Sequence, residues 1–151
     1  MVFPPIMSLF QDRAPVERAL ERWAAGDLEG ALAQFSEDIL YLVNVDGLAV
    51  PFVASTLGKE DLRQRLELIK RTFHEERFEV VSVVHEADHT RALVIVENRH
   101  RVTGERLCVR LRLRYCVEGG RIVRAEEHLD AQYVEAFQRF VFHMENAARS
   151  A

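Results

Sequence analysis

Between Arg106 and Val117 the side chains alternate, with Leu107, Val109, Leu111, Leu113 and Tyr115 on odd numbers and Arg110, Arg112 and Arg114 on even ones. Winding such a run into a helix would scatter its apolar set around the surface. The segment is therefore a strand with its odd face buried and its even face outward. Residues 78–85, 91–103 and 122–129 also read as strands, joined by Glu-Ala-Asp-His, Thr-Gly-Glu and Glu-Gly-Gly turns. The second half of the chain is thus an antiparallel meander.

Upstream the spacing is helical. Ala14-Pro15-Val16 opens a helix with Val16, Leu20 and Trp23 on one side. Gly26 stops it, and Asp27 is placed to cap a second helix over residues 28–35 with Leu28, Leu32 and Phe35 as its stripe. A short strand is expected over 39–45, a turn at Asp46-Gly47, and an edge segment in the irregular stretch between Pro51 and Gly58. A third helix, 59–74, carries Leu62, Leu66, Ile69 and Phe73 on one stripe, with Glu60 and Asp61 in its first turn where the helix dipole favours acids. A last helix, 130–148, presents Val134, Phe137, Val141 and Met144, with Phe140 beside them. Helices followed by a curled antiparallel sheet make an α+β domain in which the helices cover one face of the sheet. It is expected over residues 14–148, behind an N-terminal extension of residues 1–13.

A chain of 151 residues is long enough for one domain with a real core, since a domain near ~150 residues buries roughly 68–70% of its unfolded surface. The net charge of −4 gives no global attraction to nucleic acid or anionic membranes. No run approaches the roughly 18 apolar residues of a membrane span. Met1 to Phe10 lacks a basic region and carries Pro4 and Pro5, unlike a secretory signal. Cytoplasm is the expected location. Cys108 and Cys116 share one strand, roughly 26 Å apart at ~3.3 Å per residue, beyond disulfide reach. With no Cys-x-x-Cys spacing, no metal site is expected.

Which side chains face the cup depends on register, because a slip of one residue turns a whole strand over. A two-residue turn at Gly104-Glu105 would pair Val96 with Leu113, Asn98 with Leu111 and His100 with Val109, and outside it Glu97 with Arg112. The next hairpin, at Glu118-Gly119-Gly120-Arg121, has two solutions. A Gly-Gly turn would aim Glu126, His128 and Asp130 inward. A three-residue loop, with Gly120 left-handed in a bulge, would aim Ala125, Glu127 and Leu129 inward together with Val123. The bulge is preferred because it keeps the apolar residues inside and sets Glu97, Arg112 and Glu126 in one outward row. The inward polar set is then Asn98, His100 and Glu127, with Tyr41 from the first strand.

These features, Gly26-Asp27, Phe35-Ser36-Glu37-Asp38, Tyr41, Gly58-Lys59-Glu60-Asp61-Leu62, Gly120-Arg121-Ile122 and Glu127-His128-Leu129-Asp130 in this order, resemble the SnoaL-like branch of the nuclear transport factor 2-like superfamily. The resemblance covers about residues 16–140. It implies a cone-shaped sheet wrapped around N-terminal helices, a C-terminal helix, a pocket inside the cone and a homodimer. It also implies relatives among polyketide cyclases, ketosteroid isomerases, limonene-epoxide hydrolases and scytalone dehydratases. The epoxide hydrolases use Tyr-x-Asn, Arg-x-Asp and Asp; the corresponding places here read Tyr41-Leu42-Val43, Asn98-Arg99-His100 and Glu127. Ketosteroid isomerases place their general base near Val43, so the cyclase pattern is contradicted least. The same comparison makes Leu20 and Trp23 pocket wall.

A carboxylic acid in an apolar cup is suited to acid/base work near neutrality. The expected reactive set is Glu127 as general acid/base, His100 and Asn98 as polarising or relay groups and Tyr41 as hydrogen-bond donor. Leu20, Trp23, Val43, Val96, Val109, Leu111, Leu113, Ala125 and Leu129 are expected to line the pocket. No cofactor is expected, and the ligand is a small apolar molecule bearing a ketone. The alternative is a non-catalytic ligand-binding or dimerisation module, in which Glu127 is satisfied by His100 or Tyr41. The arginines of the outer face are read as solvated or subunit-facing, paired with Glu97 and Glu126.

Overall fold

The computed structural model describes residues 5–45 and 54–150. In chain order the elements are α1 (Pro5–Ala24), α2 (Leu28–Leu32), β1 (Phe35–Val43), β2 (Thr56–Leu57), α3 (Lys59–Thr72), β3 (Phe73–His85), β4 (Thr90–His100), β5 (Arg106–Glu118), β6 (Arg121–Leu129) and α4 (Ala131–Ser150). The Asp46-Gly47 turn, Pro51 and the Phe137 side chain lie outside the described residues. Six strands form one curved sheet in the order β2-β1-β6-β5-β4-β3. The architecture is α+β, with helices packed on one face of that sheet. Pairing is antiparallel except between β1 and β6, which run parallel. A parallel pair needs a long crossover, and everything from β2 to β5 supplies it.

The helices depart from the sequence pattern at their ends. α1 runs back to Pro5 with Pro15 inside it; proline usually marks a first turn, because in a helix interior it removes a backbone hydrogen bond. Asp27 caps α2 as expected, accepting from the Gly30 N–H at 2.9 Å, but the helix is shorter than its apolar stripe and Phe35 already opens β1. α3 passes into β3 without a loop, Phe73 being extended at φ −121, ψ 147. Phe73 suits both the helical stripe and the inner face of a strand, so periodicity alone could not place this boundary.

The hairpins explain the shape. Between β4 and β5 the turn spans Arg101 to Gly104, with His100 N–H donating to the Glu105 carbonyl at 2.8 Å. Val96 therefore faces Val109, Asn98 faces Leu107 and Glu97 faces Cys108, each four residues along β5 from the expected partner. An even displacement leaves every face unchanged. Between β5 and β6 both expected devices are present, at different places. Gly119 (φ 58) and Gly120 (φ 76) make the two-residue turn, whose positive φ values suit glycine. The extra residue lies at Val123, where pairing shifts from Val117 with Ile122 to Cys116 with Arg124. Ile122, rather than Val123, is consequently the buried residue. The outward row also changes, since Glu126 faces Arg114 and Arg112 faces His128. Two further irregularities, between Glu75 and Arg77 and between Val80 and Ser82, bend β3. Such bulges raise twist and curl the sheet into a cup.

The core fills the cup from both ends. Val16 and Leu20 of α1, Leu32 of α2 and Leu62 of α3 pack against Ile39, Val94, Ile122 and Leu129 of the sheet. Phe140 of α4, fully buried, sits on Phe73 and His100 with ring centroids 5.9 and 4.7 Å away. No helix among the described residues is long and apolar enough to cross a membrane.

Candidate functional site

Between the helices and the concave sheet lies a cavity of about 120 Å³, near the scale of the ~150 Å³ apolar cavity that admits a benzene ring. Its walls are mostly apolar, from Leu20 of α1, Leu66 and Ile69 of α3 and the inward face of β4 and β5, including Val96, Val109, Leu111 and Leu113. Among the expected wall residues, Val43, Ala125 and Leu129 are buried but do not border the cavity. Val43 and Ala125 belong to the parallel β1–β6 pairing, and Leu129 pairs with Leu111 of β5.

Glu127 is a buried acid in the cavity wall. Its neighbours Ala125 and Leu129 share its inward direction, while His128 is exposed. The Tyr41 hydroxyl donates to Glu127 Oε1 at 2.8 Å, and Arg65 Nη2 donates to Oε2 at 3.2 Å. The guanidinium also stands 5.0 Å over the Tyr41 ring. Arg65 gives the buried carboxylate the counter-charge that a low-dielectric interior demands. Burial, then the negative charge of Glu127, pushes the Tyr41 hydroxyl well above the usual tyrosine range, and the same two causes raise Tyr115. Both phenols line the cavity as neutral groups.

Sequence reasoning missed Arg65. A signal was present, for Arg65 is three residues after Leu62 and four before Ile69 and so belongs to the buried stripe of α3. An arginine on a helix face otherwise made of Leu and Ile asks for an acid opposite. Glu75 was missed for another reason. It lies in the stretch where helix was expected to give way to strand, and only the early start of β3 turns it inward.

Glu75 stands at the other end of the cavity. It faces Asn98 across the β3–β4 ladder and accepts a 3.0 Å hydrogen bond from Trp23 Nε1. Burial raises its pKa, against the opposing pulls of the Trp23 hydrogen bond, Lys70 and His74. A more open hollow beyond, bordered by Lys70, His74 and Arg101, shares Trp23, Ile69, Phe73, Glu75 and Asn98 with the cavity. Trp23, Glu75 and Asn98 are therefore the rim between the two.

His100 is not brought to Glu127. Its side chain is buried under α4 between Phe73 and Phe140, and Nδ1 accepts from the Thr103 N–H at 3.1 Å. It borders neither the cavity nor the rim. The four-residue turn places it opposite Glu105 rather than Val109, so that it closes the hairpin instead of lying inside the ladder. Asn98 reaches the cavity, but its partner on β5 is Leu107 while that of Glu127 is Leu113. The two polar side chains belong to opposite ends of the space.

A model of the SnoaL-like domain matches residues 16–125, well over half of the chain. The chain belongs to the SnoaL-like domain family. The matched span of this SnoaL-like domain holds Tyr41, Arg65, Glu75 and Asn98 and stops just before Glu127. No curated protein matches it in sequence. Among solved structures, a nuclear transport factor 2-like protein of unknown function from Burkholderia pseudomallei is similar at 17% identity, covering 85% of this chain and 95% of that one, with a TM-score of 0.74. TerC, crystallised with polyporic acid, is 14% identical over 85% and 96% of the two chains, with a TM-score of 0.72. A candidate SnoaL-like polyketide cyclase from Mesorhizobium loti is 22% identical over 76% and 95%, with a TM-score of 0.64. The fold shared with these structures is that of the nuclear transport factor 2-like proteins, a curved sheet packed against helices.

Proposed function

We propose that this domain is a cofactor-independent enzyme of the cyclase, isomerase or hydratase type, acting on a small apolar ketone with Glu127 as its acid/base group. One observation carries the reading: a carboxylate buried against an apolar cavity, with a cation and a phenol already in place beside it. In the simplest step, the carbon–hydrogen bond next to the ketone breaks, its proton passes to the Glu127 carboxylate, and the electron pair moves into an enolate. Arg65 and Tyr41 hold the two oxygens of Glu127, and as that carboxylate is neutralised by the proton their charge and hydroxyl turn to the enolate, a contribution that grows as water is excluded. Returning the proton at another carbon isomerises the molecule, and attack of the enolate on a second carbonyl closes a ring. Polyporic acid in TerC and the cyclase assignment of the Mesorhizobium protein agree with a carbonyl-bearing ligand.

The test is exchange of the α-protons of 1-tetralone in deuterated buffer, followed by proton NMR. The wild-type protein should accelerate exchange and Glu127→Gln should abolish the acceleration. Exchange that persists in Glu127→Gln overturns the reading.

A second reading has its own support, because Tyr41 and Arg65 give each oxygen of Glu127 a partner within the chain. In that reading the triad is structural and the cavity binds without reacting. Saturable binding of 1-tetralone without exchange would favour it. The homodimer implied by the family resemblance belongs to the same proposal, and sedimentation velocity tests it.

A further inference from the structure

The rim has chemistry that Glu127 does not use. Among the described residues no cation lies within ion-pair distance of Glu75, whose carboxyl is held by Trp23 Nε1 at 3.0 Å. Lys70, the nearby lysine, is engaged with the Gly26 carbonyl at 3.2 Å and lies 5.3 Å over the Trp23 ring. Burial raises the Glu75 pKa, and the only hydrogen bond its carboxyl makes among the described residues is the one it accepts from Trp23. Directly across the ladder, Asn98 Oδ1 is buried and has no hydrogen-bond partner among the described residues. Buried acceptors are nearly always matched with a donor, and the cavity that Asn98 borders is where a ligand could supply one.

Two acceptors side by side, the Glu75 carboxyl and the Asn98 amide oxygen, ask for a ligand group that donates. A hydroxyl has one proton to donate and carries no charge. A ligand carboxylate would set negative charge against the Asn98 oxygen, and a plain hydrocarbon would leave that oxygen without a donor. We propose that Glu75 and Asn98 form a specificity pair that binds a hydroxyl group on the outer end of an apolar ligand, the other end of which lies toward Glu127. Only the orientation of that inner end rests on the function proposed above. The ligand class is then a compact hydroxylated ring compound, held at the rim by its hydroxyl and along the walls by Leu66, Ile69 and Val96.

The test compares indane, 5-indanol and indane-5-carboxylate as probes, titrated into the 15N-labelled protein and followed by NMR. Indanol should bind roughly tenfold more tightly than indane, the scale of one or two net hydrogen bonds, and the carboxylate more weakly than indanol. Asn98→Leu, similar in size, should reduce indanol to the affinity of indane. Glu75→Leu should do the same, while Glu75→Gln, which retains an acceptor oxygen, should keep the preference. In the wild-type protein, the Asn98 side-chain amide resonances should move with indanol and stay in place with indane, a readout that requires no variant to fold. Equal affinities for indane and indanol overturn the proposal. So does a preference that is lost in Glu127→Gln and kept in Asn98→Leu, since that places the hydroxyl at the inner end. Loss of 1-tetralone exchange in Glu127→Gln with the indanol preference intact supports both proposals. Persistent exchange with the preference intact removes only the catalytic one.

Discussion

Arg65 Nη2 lies 3.2 Å from Glu127 Oε2, and the two side chains are 5% and 9% exposed. A helix residue and a strand residue 62 positions apart thus form a buried ion pair at the wall of the cavity. Removing one member strands the other's charge, which typically costs about 3–5 kcal/mol, whereas removing both costs much less. Arg65→Met should therefore destabilise the protein by roughly that amount in urea unfolding, and Arg65→Met combined with Glu127→Gln should recover most of the loss. Equal destabilisation by the single and double variants would mean that the pair is not coupled.

Tyr41→Phe removes a hydrogen bond to a charged acceptor without opening space. The expected loss is about 1.5–3 kcal/mol, read from the denaturation midpoint. The folded state holds both Tyr41 and Tyr115 above the reference value of 10.0, chiefly by burial. Because their folded values are raised, the stability they contribute is complete below pH 10 and declines as the pH climbs beyond it. Spectrophotometric titration should find that neither phenol has ionised at pH 10 in the folded protein. Phenolate absorbance from Tyr41 or Tyr115 near pH 10 would contradict their burial beside Glu127.

For His100 the sign is reversed. Burial lowers its pKa from 6.5, so the unfolded chain binds a proton that the folded one refuses. The stabilisation linked to its neutral form is present above pH 6.5 and lost as the pH falls through the lowered value. Glutamine at this position cannot titrate. Melting temperatures of wild type and His100→Gln, measured from pH 7 to pH 4.5, should converge as the pH falls. Since His100 does not border the cavity, the variant should leave 1-tetralone exchange unchanged; loss of exchange in a folded variant would return His100 to the reacting groups.

Glu75 should respond to substitution in the opposite direction from Glu127. Its pKa is raised by burial, so folding disfavours its charged form, and the stability linked to it is lost as the pH rises through the folded value. Glu75→Gln, still able to accept from the Trp23 indole, should match or exceed the wild-type stability at pH 7, while Glu127→Gln lowers it. Trp23 is the single tryptophan of the chain, so fluorescence reports on this contact alone. Its emission should titrate with a midpoint above the reference value of 4.5 in the wild type and stay flat in Glu75→Gln. A midpoint at or below that value would show that Glu75 is solvated.

Inward direction was legible in the residues because it is a local property. The alternation of β5 placed Val109, Leu111 and Leu113 on the concave face whichever turn preceded them, and a single inserted residue in β6 accounts for Ala125, Glu127 and Leu129 facing the same way. The expectation that Glu127 faces the cup rested on keeping Ala125 and Leu129 inside, which requires one extra residue somewhere ahead of Ala125. The position of the insertion was less legible, since a bulge at Val123 and a bulge in the turn orient the rest of β6 identically. The β4–β5 register was misjudged because Gly104 suits either the start of a two-residue turn or the end of a four-residue one. That choice moved His100 away from the cavity without turning it over.

The neighbours of Glu127 and Glu75 are another matter. Chain chemistry alone dictates where an apolar stripe or an alternating strand turns its side chains, because each depends on residues a few positions apart. It does not dictate that Arg65 of α3 crosses the sheet above Glu127, or that β3 begins at Phe73 and brings Glu75 opposite Asn98. Those contacts are settled by the angle at which α3 lies across the curled sheet and by the bulges that curl it. Both are properties of the packed whole, where many small gains in burial are weighed at once. The strand faces were therefore open to reading, and the partners that decide what the two acids can do were not.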